Sequence, residues 1–96
     1  MIRGLFCGVS EYRANQQLPY CINDAKKMKE VFMENLVCSD DSIVVLAKDG
    51  RIENSEYIRE LVRFSENCTE EDIAVVYYSG HGGIDEPAAF PEFPDD

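Results

Sequence analysis

The sequence has no tryptophan, a single histidine, no Cys-x-x-Cys pair and no apolar run near the ~18 residues of a membrane span. Basic residues are scarce, nine against 19 acidic ones, which gives a net charge of −10. Phosphate binding requires clustered Lys and Arg, so this balance argues against nucleic acid or an anionic membrane as partner. Residues 1–6 lack the basic region and cleavage site of a signal peptide. We therefore expect one cytoplasmic domain.

The four cysteines are widely spaced along the chain. Without a secretory context, this spacing predicts free thiols in a reducing compartment. A small, buried apolar side chain is the alternative role for each of them.

Three apolar runs, at residues 2–9, 43–47 and 73–78, predict strands. They do not alternate with polar residues, so both faces of the sheet should be covered. Apolar residues recur at helical spacing over 25–36 and 57–68, and Asn54 or Ser55 is the expected N-cap of the second helix. The order β-α-β-α-β predicts an α/β fold with a parallel sheet and flanking helices.

The composition changes after Gly83. Residues 84–96 are acidic and contain three prolines, which is typical of a loop or disordered tail following a domain at 1–83. Three strands make a thin sheet, and we expect the third to keep an unpaired edge.

The third strand leads into Ser79-Gly80-His81-Gly82-Gly83. A single histidine in a loop is more often structural than catalytic. However, this one has glycine on both sides and follows a strand end, where parallel sheets place their chemistry. An exposed imidazole there could act as general base for a thiol or hydroxyl, and the Gly82 N–H could hold an oxyanion.

A second segment, residues 18–25, opens the first helix with Leu-Pro-Tyr-Cys-Ile-Asn-Asp-Ala. Helix-start preferences alone account for Pro19 and Asp24, but they do not require Cys21. If this turn faces the His81 loop, the Asp24 carboxylate would favour a basic side chain.

Together, residues 8–12, 18–25 and 77–82 resemble the N-terminal part of the caspase-like cysteine peptidases, most closely the metacaspase and bacterial caspase-homologue branch. The resemblance implies a caspase-like three-layer fold, incomplete in this chain. It makes His81 the catalytic base and Gly82 the oxyanion-hole glycine. It places Asp24, Cys21 and Ser79 in an S1 pocket for Arg or Lys. Arg13, in the flanking loop, keeps the Asp-selective pocket of animal caspases open as an alternative.

The resemblance also implies a nucleophilic cysteine roughly fifty residues after the histidine. All four cysteines precede His81, so we expect the nucleophile on a C-terminal portion of the same peptidase, with protein or peptide substrates. The chain alone is then expected to be inactive. Two alternatives are a non-catalytic caspase-like module that binds a partner through the third strand, and a flavodoxin-like domain with an accidental motif.

No cofactor is expected, with one reservation for calcium. In many metacaspases, acidic residues beyond the histidine loop contribute to calcium binding. The corresponding carboxylates would be Asp85, Glu86, Asp95 and Asp96. No EF-hand pattern is present, and a solvated loop is the alternative.

Overall fold

The computed structural model of the chain describes residues 1–11, 17–36, 38–47, 49–85, 88–91 and 93, with the backbone alone for 82–85 and 88–90. A short 3-10 turn at Asp40–Ser42 precedes the second strand. The elements are β1 (Ile2–Gly8), α1 (Cys21–Asn35), β2 (Ile43–Leu46), α2 (Asn54–Asn67), β3 (Ile73–Ser79), β4 (Gly82–Asp85) and β5 (Ala88–Pro91).

The first three strands form a parallel sheet in the order β2-β1-β3. Leu5 of β1 lies opposite Val44 of β2 and Val76 of β3. Gly8, the last residue of β1, lies opposite Ser79, so these two strands end together at the C-terminal end of the sheet. The predicted α/β class and the parallel sheet are therefore confirmed.

Helices cover the sheet on both faces and make three layers. On one face, Phe6 packs edge-on against Phe32 of α1 and Tyr77 of β3, with ring centroids 5.1 and 5.8 Å apart. On the other face, Leu5 and Cys7 lie in a cluster with Tyr57 of α2. Full burial of such side chains stabilises the fold by about 1.5–3 kcal/mol each. Burial also raises the pKa of the Cys7 thiol to about 12.

The β3 strand is more exposed than its sequence predicts. Every residue of β3 is at least partly exposed, and Ile73 and Val76 are 63% and 50% exposed. The expectation of coverage on both faces is wrong here, because β3 lies at the sheet edge while the α2 cluster centres on β1 and β2. Within the described residues β3 pairs only with β1.

The chain after Gly83 also differs from the prediction of a loop or tail. β4 and β5 form a two-stranded antiparallel sheet, in which Gly82 lies opposite Pro91. Phe93 is only 4% exposed, and its ring lies 4.7 Å from that of Tyr57 and 5.9 Å from that of Tyr78. The prediction is corrected for this part because an aromatic residue between prolines anchors the segment to the core.

Smaller differences concern the helix ends and the thiols. α2 begins at Asn54, so Glu53 occupies the N-cap position, with no side-chain cap, where Asn54 or Ser55 was expected. α1 begins at Cys21, ahead of its first predicted apolar position. All four cysteines are free, as predicted. In the part of the chain that the structure describes, no helix is long and apolar enough to cross a membrane.

Asp72 ties the start of β3 to its surroundings. Its carboxylate accepts hydrogen bonds from the Thr69 backbone N–H at 2.8 Å, the Thr69 hydroxyl at 3.2 Å and the Arg3 Nε at 3.0 Å. These donors, led by the Thr69 N–H, lower the pKa of Asp72 from its ordinary 3.8 to about 2. Because the folded state holds this carboxylate ionised, Asp72 stabilises the fold above its ordinary pKa. That contribution is lost as the pH falls towards about 2.

We expect Asp72→Asn to lower the free energy of unfolding at pH 7 and to weaken its dependence on pH. Urea unfolding followed by circular dichroism at pH 7, 4 and 2.5 measures both. The wild-type curve should fall towards that of the variant as the pH drops from about 4 to about 2. If the free energies of unfolding of the wild type and the variant differ by the same amount at all three pH values, ionisation of Asp72 is not coupled to folding.

Candidate active site

The His81 loop begins at the C-terminal end of the sheet, where β1 and β3 end. His81 follows β3 by two residues and is partly buried. The Tyr78 hydroxyl donates a hydrogen bond of 2.6 Å to the His81 backbone carbonyl. This bond fixes the backbone of the loop at the residue that carries the imidazole.

The chain on the far side of His81 is held as well. Gly82 opens β4 and pairs with Pro91 of β5, and Phe93 beyond β5 packs on Tyr57 and Tyr78. The Tyr78 side chain therefore contacts the chain at His81 and again at Phe93. This double attachment limits the positions that the His81 loop can occupy.

The start of α1 lies at the same C-terminal end of the sheet. The Ser79 hydroxyl donates a hydrogen bond of 3.1 Å to the Asp24 carboxylate, which joins the end of β3 to the first turn of α1. Asp24 is exposed, so its negative charge faces solvent at this end of the sheet. The structure thus brings together two of the three residues predicted for the S1 pocket, and both lie close in sequence or in space to the His81 loop.

The absence of a side chain at Gly8 allows this arrangement. A Cβ built on Gly8 would lie 2.0 Å from the Cys21 carbonyl oxygen and 2.7 Å from the Ile22 Cα. The backbone of α1 therefore contacts the end of β1 directly. In addition, the Val9 N–H donates 2.9 Å to the Ser79 carbonyl and extends the link between β1 and β3 past the last pair of the ladder.

The positions of the thiols divide them into two groups. Cys38 and Cys68 precede β2 and β3, and so lie at the N-terminal end of the sheet, opposite to His81. Cys21 is the first residue of α1, 9% exposed, and its N–H donates to the Leu18 carbonyl. Cys7 lies in the core near the end of β1. Cys21 therefore lies at the same end of the sheet as Asp24, and its place in an S1 pocket stays a prediction.

The predicted calcium ligands lie outside what the structure describes. Glu86, Asp95 and Asp96 are not among the described residues, and only the backbone of Asp85 is. Among the described residues, no group of three His, Cys, Asp or Glu side chains could hold a metal ion. Calcium binding by the acidic segment stays a prediction.

Three residues that sequence reasoning passed over contribute to the site's geometry. Ser10 caps α1 from the end of β1, Tyr78 holds the His81 carbonyl, and Phe93 anchors the segment beyond β5. A polar residue directly after a buried strand and an aromatic residue within a polar segment were the available signals. Neither shows in the sequence which distant backbone group it contacts.

Comparison with known proteins identifies the family. The model of the metacaspase, peptidase C14 domain matches residues 2–94. Metacaspase-1 of Arabidopsis thaliana is 35% identical over 85 residues, which are 83% of this chain and 23% of that protein. Metacaspase-1 of Debaryomyces hansenii is 32% identical over 87 residues, 85% of this chain and 20% of that protein. The chain spans about a quarter or less of the length of these relatives.

The match covers all three segments on which the resemblance rests, and it extends through the β4–β5 pair that sequence analysis treated as a loop or tail. The parallel sheet with helices on both faces agrees with a part of the caspase-like fold. The chain belongs to the metacaspase, peptidase C14 domain family of caspase-like cysteine peptidases.

Proposed function

We propose that this chain is the His-bearing part of a cysteine endopeptidase that cleaves after Arg or Lys. The observation that carries the proposal is the Asp24–Ser79 contact at the C-terminal end of β3, where the His81 loop begins. A carboxylate there, held by a neutral hydroxyl, keeps its charge available for a guanidinium or ammonium group. Hydrogen bonds between such charged partners are about twice as strong as those between neutral groups.

In this reaction His81 accepts the proton of the nucleophilic thiol, and the thiolate attacks the carbonyl carbon of the scissile peptide. The Gly82 N–H stabilises the resulting oxyanion. His81 then gives its proton to the leaving amine as the tetrahedral intermediate collapses to an acyl-enzyme. Water, deprotonated by the same imidazole, releases the new C-terminal carboxylate and restores the thiol. Asp24 orients the substrate by binding its basic side chain.

The nucleophile is proposed to lie on a C-terminal portion of the same peptidase. Cys7 is in the core with a raised pKa, and Cys38 and Cys68 lie at the other end of the sheet. Cys21 is only 9% exposed and is proposed for the S1 pocket instead. The docking site of the C-terminal portion is proposed to be the side of β3 away from β1, where no strand of the described residues lies. On the same strand, the exposed Ile73 and Val76 offer apolar surface.

The same side of β3, uncovered by any strand of the described residues, favours a second candidate, a non-catalytic module that recruits a partner strand to β3. The two candidates differ in a measurable way. A module needs β3 but neither His81 nor Asp24, whereas the peptidase needs all three.

The specificity test uses Asp24→Asn in the complete protein with fluorogenic peptides that carry Arg, Lys or Asp at P1. We expect kcat/KM for Arg and Lys substrates to fall at least about tenfold, because a charge-assisted pair is worth roughly 1.5–3 kcal/mol. The matched control is Asp40→Asn. It removes another exposed carboxylate, paired with Lys29 at 2.9 Å and located before β2 at the opposite end of the sheet.

Asp40→Asn should leave the Arg and Lys rates unchanged. A wild-type preference for Asp at P1, or an Asp24→Asn protein with undiminished Arg cleavage, would refute the pocket assignment. A complete protein without any peptidase activity would favour the non-catalytic module.

A further inference from the structure

The first turn of α1 is capped by a residue from the loop that follows β1. Tyr20, at the N-cap position, makes no side-chain cap. Instead the Ile22 N–H donates a hydrogen bond of 3.1 Å to the Ser10 Oγ. Helix-start N–H groups need such an acceptor because the helix itself offers them none. Ser10 is 7% exposed, so its hydroxyl is almost withdrawn from water.

Ser10 is itself held by the turn that follows β2. The N–H groups of Ser10 and Glu11 both donate to the Gly50 carbonyl, at 2.9 and 3.1 Å, and the Ser10 carbonyl accepts the Leu18 N–H at 2.7 Å. Gly50 has a φ of +89°, and a Cβ built on it would lie 3.2 Å from the Ser10 Cβ. A residue with a side chain at position 50 would therefore be strained in its backbone and would crowd Ser10.

The turn contains a second unusual backbone. Ala47 has a φ of +57°, in the left-handed region that is unfavourable for a residue with a Cβ. Its carbonyl accepts the Gly50 N–H at 2.7 Å. The strained backbone of this turn thus places the Gly50 carbonyl where it accepts the N–H groups of Ser10 and Glu11.

These bonds close a ring that passes through the candidate S1 residues. Val9 N–H binds the Ser79 carbonyl, the adjacent Ser10 binds Ile22, and two residues further Asp24 accepts the Ser79 hydroxyl. Ser79 and Asp24 form the exposed side of the ring, and Ser10 forms its buried side. Without the Ser10 hydroxyl, the α1 turn would keep its backbone contact with Gly8 and the Leu18–Ser10 backbone bond. The Ile22 N–H would lose its acceptor, and the exposed Ser79–Asp24 bond would face solvent competition without the support of that buried cap.

We propose that Ser10 is a positioning residue for substrate specificity, which sets the location of the Asp24 carboxylate relative to Ser79. The inference rests on the proposed function, in that Asp24 must bind a basic P1 side chain. Ser10 does not contact that side chain. It acts through the backbone of Ile22, so its effect should appear in substrate binding more than in turnover.

The experiment compares Ser10→Ala with Ser42→Ala in the complete protein. Ser42 is a matched control because it is also a buried serine, 4% exposed, and its hydroxyl donates 2.8 Å to the Ser39 carbonyl at the opposite end of the sheet. Both variants lose one buried hydroxyl, so both should lose some stability. The readout is kcat/KM for a peptide with Arg at P1 divided by that for its uncharged isostere citrulline.

We expect Ser10→Ala to lower this selectivity ratio about threefold to tenfold, mainly through KM for the Arg peptide, whereas Ser42→Ala leaves it at the wild-type value. Amide hydrogen exchange at Ile22 should accelerate in Ser10→Ala only. Ser10→Thr, which keeps the hydroxyl, should retain the selectivity.

An unchanged ratio in Ser10→Ala, while Asp24→Asn loses it, would overturn the positioning role and leave the proposed function intact. An unfolded Ser10→Ala protein would also overturn it, since Ser10 would then be a stability determinant. If the wild-type protein does not distinguish Arg from citrulline, the proposed function itself is wrong.

Discussion

Replacing His81 by alanine in the complete protein is expected to lower kcat for peptide cleavage by about 10²–10⁴-fold, the usual contribution of a positioned general acid–base group. KM should change little, because in the proposed reaction the imidazole acts on the thiol and the leaving amine rather than on the basic side chain. The loop around residue 81 is held by the Tyr78 hydroxyl on the backbone carbonyl, a bond that the substitution leaves in place. The measurement is steady-state kinetics with an Arg peptide.

The control for this experiment is a check that His81→Ala keeps the wild-type fold. Thermal unfolding and near-UV circular dichroism of His81→Ala should match the wild type, since His81 lies outside both core clusters. Residues 1–96 alone serve as the blank and should show no turnover. Near-normal cleavage by His81→Ala, or a collapse of its structure, would remove His81 from the catalytic role.

The second large effect is expected from Gly8→Ala. The new Cβ would lie 2.0 Å from the Cys21 carbonyl oxygen and 2.5 Å from its carbonyl carbon, and neither atom belongs to a flexible side chain. Relief requires β1 and α1 to separate, so the cost should reach the upper end of the ~1–3 kcal/mol typical of overpacked sites. That is a large share of the roughly 5–15 kcal/mol that stabilises a domain. Urea unfolding measures it.

Gly4→Ala is the matched comparison on the same strand. A Cβ at Gly4 would meet Phe6 Cε1 at 2.8 Å and Ile43 Cδ1 at 2.9 Å, which are the ends of side chains. Because these ends can rotate, Gly4→Ala should cost less than Gly8→Ala. Equal midpoints for the two variants, or a Gly8→Ala protein as stable as the wild type, would show that α1 does not depend on its close contact with β1.

Local sequence patterns predicted the elements that bury apolar residues. The runs at 2–9 and 43–47 became β1 and β2, and helical spacing located α1 and α2. The parallel order followed from the alternation of strands and helices. The partial exposure of β3 could not be predicted, because the run Ile73–Tyr78 is as apolar as a central strand and only the topology puts it at an edge.

The candidate site was predictable only where residue type carries the chemistry. His81, Gly82 and Asp24 stood out by type and motif, whereas Ser10 is one of several serines. Its importance comes from bonds to Ile22 and Gly50, which are 12 and 40 residues away in the chain. Long-range backbone contacts of this kind leave no periodic signal. The β4–β5 pair was missed for a related reason, since its anchor at Phe93 depends on Tyr57 and Tyr78.

The burial of Cys7 has a consequence for chemical labelling of the protein. With a pKa of about 12, fewer than about 1 in 10⁴ of these thiols is ionised near neutral pH, so iodoacetamide and similar alkylating reagents should pass Cys7 by. Background alkylation from this chain should come instead from the partly exposed Cys38 and Cys68. Replacing those two with serine, while leaving Cys7 in the core, would let an electrophilic probe report on a catalytic thiol supplied from elsewhere.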